Sequence, residues 1–485
     1  MPATGRIEAD VAVVGAGGAG LFAALSAVEH GARVALVSAT PLAETASYWA
    51  QGGLAAALAP GDSPEQHLQD TVTAGRGAVR PSAAEVLCRE APDRVRDLER
   101  LGVAFDADRT GRLLLALEGG HSRRRVVHAG GSATGRRVVR QLSARVAEAP
   151  EVQVLERARA TALLTADGRC VGLACEDSRQ VSARAVILAT GGAAALWRRT
   201  TNPPGSLGIG LLLAHAAGAA LADLELVQFH PTAVIGVPGR EGFLITEAIR
   251  GEGATLHDSS GERFVDELAP RDEVARAIDR QLELTGQHAV LLDMRAIDPA
   301  SFPNVFSALA DAGLDATRER VPVAPAVHYS MGGILTDLQG RSTLSGLYAV
   351  GESGCTGLHG ANRLASNSLS ECFVFARRAA QAGLSEPPPA GGASAAALTG
   401  SPLPAPETRE AMWRHAGLRR TRQGLAALAA DRHPLARLIA AGALARQETR
   451  GSHVRVDFPD LDPDLDGCHA VIPGRSPEPR FERWD

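Results

Sequence analysis

The chain has 485 residues, 45% of them apolar and 22% charged, with a formal net charge of −5. That length points to about two to four domains, and the composition excludes a mainly disordered chain. The weak acidity excludes the basic footprint of a dedicated nucleic-acid binder, and because all 50 basic residues are Arg, chemistry through a lysine Schiff base or a P-loop lysine is excluded too.

Residues 1–10 carry no charged segment followed by an apolar core, so no secretory signal is expected. The longest Ala/Leu-rich run, 208–221, is broken by His215 and Gly218 and is too short to span a bilayer. Cys88, Cys170, Cys175, Cys355, Cys372 and Cys468 form no C-x-x-C pair and have no His at zinc spacing. The expectation is a reduced cytoplasmic protein with no metal site, no membrane anchor and no nucleic-acid partner.

Val11-Ala12-Val13-Val14 is an apolar run of the kind buried in parallel sheets. Gly15-Ala16-Gly17-Gly18-Ala19-Gly20 follows at once, then a helical pattern through Leu21, Ala24, Leu25 and Val28, then a second strand over 33–37. Strand, G-x-G-x-x-G, helix, strand is the unit that binds a dinucleotide pyrophosphate. Gly15 permits the tight turn, Gly17 lets the backbone approach the phosphates, and Gly20 lets helix and strand pack closely. The second strand ends in Ser38 where an acidic residue is usual; its hydroxyl is the candidate ribose contact.

Ala185-Val186-Ile187-Leu188-Ala189 runs into Thr190-Gly191-Gly192, and Leu347-Tyr348-Ala349-Val350 runs into Gly351-Glu352. Both read as further strands of the nucleotide domain, with Glu352 a second candidate for ribose. Their separation implies an insertion between them. The expected organisation is a discontinuous Rossmann-like α/β domain (1–224 and 330–385), an inserted α+β capping domain (225–329), a Pro/Gly/Ala/Ser-rich linker (386–407) and a C-terminal helical domain (408–485) whose end, from residue 459, reads as irregular.

Chemistry-bearing residues concentrate in short segments: Ser47-Tyr48-Trp49-Ala50-Gln51-Gly52-Gly53-Leu54, Leu117-Glu118-Gly119-Gly120-His121-Ser122, Gln228-Phe229-His230-Pro231-Thr232, Thr246-Glu247-Ala248-Ile249-Arg250-Gly251-Glu252-Gly253, Ala269-Pro270-Arg271-Asp272, His328-Tyr329 and His359 through Leu369. In their order these resemble the succinate dehydrogenase/fumarate reductase flavoprotein family, and within it the branch that oxidises L-aspartate. The resemblance runs, with gaps, from about Asp10 to Phe458. It implies FAD as cofactor, with Ser47, Gln51, Gly52, Gly53 and Asn367, Ser368, Leu369 beside it. A dianionic substrate needs cations and fixed donors at both ends, and Arg supplies bidentate carboxylate binding. The resemblance assigns His230, Thr246, Arg250, His328 and Arg363 to that task, with Gln228 shaping the pocket.

It also makes Arg271 the proton-transferring residue, with Glu247 as its relay. The expected reaction passes the Cα hydrogen of L-aspartate as hydride to flavin N5 and yields iminoaspartate, the first step of de novo NAD biosynthesis. O2 or fumarate would reoxidise the flavin, and quinolinate synthase would consume the product. Glu118 stands where dicarboxylate-only relatives carry an apolar aromatic. A carboxylate there suits a substrate ammonium and would face no cation with succinate. Ala46 occupies the place of the His that anchors FAD covalently in respiratory relatives, so the cofactor is expected to be non-covalent. Ser368-x-x-Glu371 reads as a capping box opening the helix at the flavin.

Three places depart from the family pattern: Gly208-Ile209-Gly210, where Gly-Asp-Gly is usual; Ser132 in Gly131-Ser132-Ala133-Thr134-Gly135; and a shortened 264–269 loop. They leave open a paralogue acting on a related amino acid or dicarboxylate; a succinate/fumarate enzyme, which Glu118 and Ala46 argue against, is the second reading, and a catalytically silent flavoprotein, which Ile209 favours, the third.

Overall fold

A computed structural model of the chain describes residues 5–41, 45–389, 392–398 and 402–485. Its centre is a sheet whose inner strands Gln180–Leu188, Arg6–Val14, Val34–Val37 and Val152–Leu155 lie parallel in that order. The run Val11–Val14 has no polar residue because both faces of its strand are covered. Val11 and Val13 pack with the helices Gly18–Val28 and Asn367–Leu384, where the rings of Phe22 and Phe373 meet edge to face at 5.2 Å. Ala12 and Val14 pack on the other side with Leu211 and with Leu435 of the C-terminal segment.

Gln180–Leu188 divides its pairing. Its first half pairs antiparallel with Arg169–Cys175, and its last residues pair parallel with Leu347–Ala349. The strand 347–349 thus re-enters the sheet, and between residues 227 and 330 the chain builds a separate antiparallel sheet. That sheet has the order Val227–Val234, Val321–Ser330, Val290–Asp293, Thr255–His257, over a core of its own around Ile249, Val274, Ile278 and Phe306.

Two segments differ from the sequence reading. Within 386–407, read as a linker, Ser394–Ala397 forms a strand on the edge of the main sheet against Ala160–Ala166; residues 390–391 and 399–401 of that segment lie outside the described ones. The tail read as irregular supplies Cys468–Ile472, which pairs with Leu221–Ala222 on one side and with Arg480–Arg483 on the other. The helices Pro406–His415, Arg422–Leu428 and Pro434–Ala445 pack on the main core through Met412, Leu425 and Leu435. Buried ions fasten this region: Arg446 donates to Glu225 (2.7 Å) and Glu448 (2.9 Å), and Arg450 grips both oxygens of Glu448. Among the described residues no helix is long and apolar enough to cross a membrane.

Candidate active site

One cleft, with about 1170 Å³ of free space including its open mouth, gathers residues from every segment singled out in the sequence. Gly17 and Ala19 line one end. Gly15 turns the chain at φ +109°, where an added Cβ would sit 2.2 Å from the Ala189 carbonyl; a Cβ on Gly20 would sit 1.9 Å from that of Gly15. Only glycine fits either place. The helix Gly18–Val28 therefore starts hard against the strand, and its Gly18 N–H donates to Ser47 Oγ (3.1 Å). The helix Asn367–Leu384 also starts on the cleft, through Ser368 and Leu369. Two positive helix ends on one cavity suit an anionic cofactor.

Across the cleft the inserted sheet brings in His230 and His328, their rings 5.2 Å apart. The Thr232 amide donates to His230 Nδ1 (3.3 Å), which leaves Nε2 as the protonated nitrogen. His328 Nδ1 is 2.8 Å from Thr201 Oγ1, and Asn202 donates to the His328 carbonyl (2.6 Å). Burial, then Arg271, holds His230 well below the usual imidazole range; burial, then Arg363, does the same for His328. Both are neutral donors at pH 7.

Arg271 opens the helix Arg271–Thr285, donating through Nε to Glu247 Oε2 (2.6 Å) and through Nη1 to Gln228 Oε1 (3.1 Å). The guanidinium is thereby fixed in one orientation. Gln228 in turn donates to the Arg363 carbonyl (2.8 Å). Arg363 lies over the Tyr329 ring (4.5 Å) and donates to Ser368 Oγ (3.0 Å). Burial, then the neighbouring Arg271, lowers Arg363 to about 10. Its Nε and Glu247 Oε1 are buried with no hydrogen-bond partner among the described residues. Burial raises the Glu247 carboxyl, but Arg271 and Arg250 outweigh it and the net shift is downward.

Glu118 lines the cleft and has protein partners that the sequence did not show. It does not wait for a cation: Ser366 Oγ donates to it (2.6 Å) and His128 Nε2 stands 3.3 Å away. Burial opposes its charge, but His128, Ser366 and Arg271 outweigh burial and bring it down to about 2. Ser366 also accepts from the Gly53 amide (3.1 Å), and holds a left-handed backbone (φ 60°) that non-glycine residues rarely adopt.

The Ser368–Glu371 capping box is not formed. The helix cap is Ser366, without a side-chain bond, and Glu371 turns inward to Tyr329 Oη and His359 Nε2, both at 2.7 Å. Tertiary partners outbid the local spacing.

Ser47, Gln51, Gly52, Gly53, Gly191, Thr246 and Glu352 also line the cleft. Gln51 ties it to the inserted sheet by donating to the Leu244 carbonyl (2.8 Å). The Glu352 carboxylate accepts from the Ser330 amide (2.8 Å), and burial raises it to about 7. Other sequence candidates stand behind the wall. Gly15, Ala16, Gly18 and Gly20 belong to the turn and its helix. Arg250 lies beneath Glu247 and donates to the Glu267 carbonyl. Gln228 is wholly buried, and Asn367 pairs with His67 (2.8 Å). Thr190 and Gly192 support the Glu352 turn: a Cβ on Gly192 would lie 2.2 Å from Glu352 Oε1. Ser38 lies off the cleft and donates to the Thr40 carbonyl (2.5 Å). Sequence reasoning missed His128, Ser366, Thr201, Asn202 and Pro203. The Asn-Pro-Pro-Gly turn at 202–205 was the one available signal for the last three.

The departures have local causes. Ile209 packs into the core beside the C-terminal helices rather than on the cleft. Ser132 meets Asn304 of the inserted sheet's domain at 3.5 Å. The short 264–269 loop is fastened by Glu267, which accepts from the Leu256 amide and Arg263.

A dinucleotide-type sheet with an inserted domain, two helix ends and a cationic cleft defines a flavoprotein oxidoreductase. Residues 10–369 match the family model described as FAD binding domain, and 429–482 match that described as Fumarate reductase flavoprotein C-term. An L-aspartate oxidase of Caulobacter vibrioides is 46% identical, covering 97% of both chains; one of Streptomyces coelicolor is 41% identical, covering 97% of this chain and 92% of its own. A solved quinol-fumarate reductase superposes with TM-score 0.90 at 29% identity, over 99% of this chain and 98% of its own. The chain belongs to the L-aspartate oxidase family, and FAD is its cofactor.

Proposed function

We propose that the cleft oxidises L-aspartate to iminoaspartate. The observation that carries this reading is the convergence of Arg363, Arg271, His230 and His328 with an ionised Glu118 on a single cavity. Such a set suits two carboxylates and one ammonium. Arg363 offers its unpartnered Nε to one carboxylate, and the two neutral imidazoles donate to the other. Glu118 faces the ammonium. Gly17, Ser47, Gln51 to Gly53, Gly191, Glu352 and the first turn at Ser368 and Leu369 would hold FAD. When bound, FAD would supply a two-electron acceptor for the hydride from Cα, with O2 or fumarate as the final acceptor.

The residues handle the proton that the substrate ammonium loses from its N–H as Cα gives up hydride and the C=N bond forms. Arg271 is the transferring group, and Glu247, 2.6 Å from its Nε, is the relay. The positive end of the helix at Ser368 and the Arg363 charge stabilise negative charge gathering beside them. The apolar Ala46 leaves no nucleophile for a covalent flavin link. The product is an electrophilic imine, to be consumed by a condensing enzyme such as quinolinate synthase, and we place the reaction in the cytoplasm and in NAD biosynthesis. Anaerobic mixing with L-aspartate should bleach the flavin, and succinate should not. Bleaching by succinate alone would favour the dicarboxylate reading; bleaching by neither would refute both.

A further inference from the structure

Resting on the assignment of Arg271 above, we infer that Arg76 is a positioning residue for it, clamping the inserted domain over the cleft. Arg76 follows the helix Pro64–Ala74 in the nucleotide domain. Its guanidinium crosses to the inserted domain and binds Asp272 with two parallel bonds, Nε to Oδ2 and Nη2 to Oδ1, both 3.0 Å. Nη2 also donates to Glu273 at 2.5 Å. Asp272 and Glu273 immediately follow Arg271 in the helix's first turn. The Asp272 side chain is fully buried, so its charge requires a fixed counter-ion there. Arg276 stands farther from the same carboxylate, at 3.4 Å.

The turn that presents Arg76 is itself immobilised. Four successive carbonyls are taken by other parts of the chain. Asn362 donates to Ala74 (3.1 Å) and the Ala361 amide to Gly75 (3.0 Å). Arg450, itself gripped by buried Glu448, donates to Arg76 (2.5 Å), and the Gly467 amide to Gly77 (2.8 Å). Arg76 keeps a left-handed backbone, φ 56°, a conformation costly for a non-glycine residue unless its surroundings impose it. Ala361 and Asn362 immediately precede Arg363. One rigid turn thus references the substrate-facing Arg363 on its own domain and the Arg271 helix on the other. A bidentate Arg–carboxylate pair carries orientation as well as charge, and misplacing a reacting group by about 1 Å can cost about 10²-fold in rate.

The test uses the holoenzyme in a double-mutant cycle of Arg76→Ala, Asp272→Asn and both together. Anaerobic stopped flow reads flavin reduction by L-aspartate, and hydrogen exchange reads the amides of 271–276. We expect each single variant to slow reduction about 10- to 100-fold with FAD retained, reoxidation by O2 unchanged, and the double variant no slower than the worse single. The 271–276 amides should exchange faster while those of Val11–Val14 do not. Reduction within 2-fold of wild type, additive losses, or unchanged exchange would each overturn the inference. If wild type is not reduced by L-aspartate, the substrate assignment fails instead, and the exchange arm still decides the clamp.

Discussion

Replacing Glu118 by Gln keeps the shape of the side chain and removes its charge. The magnitude follows from what surrounds it. Truncating one partner of a buried, hydrogen-bonded charge pair costs about 2–5 kcal/mol, or about 30-fold to several thousand-fold. Glu118 already accepts from Ser366 and stands 3.3 Å from His128, so its charge is shared before any ammonium arrives. The loss should fall toward the lower part of that range, about 30- to 300-fold in kcat/KM for L-aspartate. Fumarate carries no ammonium, so reoxidation of the reduced enzyme by fumarate should change less than about 3-fold on the same principle. Rapid mixing measures both half-reactions on one preparation. Equal losses in the two would refute a role for Glu118 in choosing the amine.

Arg271→Leu should lower turnover by roughly 10²–10⁴-fold while the visible flavin spectrum persists; near wild-type turnover would remove Arg271 from the proton path. Acid precipitation should leave a colourless pellet and a yellow supernatant, because Ala46 offers no attachment, and a yellow pellet would contradict that. Glu352 supplies a pH test on the apoprotein. Its folded value of about 7 lies above the ordinary 4.5, so the folded state binds the extra proton between them. The resulting stability is full below about 4.5 and is lost as pH rises through about 7, a change of up to about 3 kcal/mol. Urea unfolding at pH 5 and 7.5 should therefore show wild type gaining on Glu352→Gln at the lower pH; a difference that does not vary with pH would refute the shift.

The nucleotide turn was legible because its chemistry is local: glycines at 15 and 20 are demanded by carbonyls 2.2 and 1.9 Å from any added Cβ. The doubly covered strand at 11–14 was legible from composition alone. The dianion-binding set was legible only through resemblance, since His230 and His328 meet by way of strands about 100 residues apart in sequence. Where tertiary contact competes with local pattern, the pattern misled. Glu371 has ideal spacing for a cap on Ser368 and instead satisfies Tyr329 and His359. Glu118 was read only against the substrate ammonium, because its protein partners depend on tertiary pairing: His128 comes across from the neighbouring strand and Ser366 from about 250 residues away. Cys468–Ile472 was read as irregular because a five-residue segment buried throughout shows no alternation.

That late strand has a bearing on biosynthesis. Leu221–Ala222 has its second neighbour only when residue 472 is available, about 250 residues later on the ribosome. At about 5–20 residues per second the open backbone edge waits for about 10–50 s. During that interval a nascent chain presents unpaired strand groups beside an incomplete core.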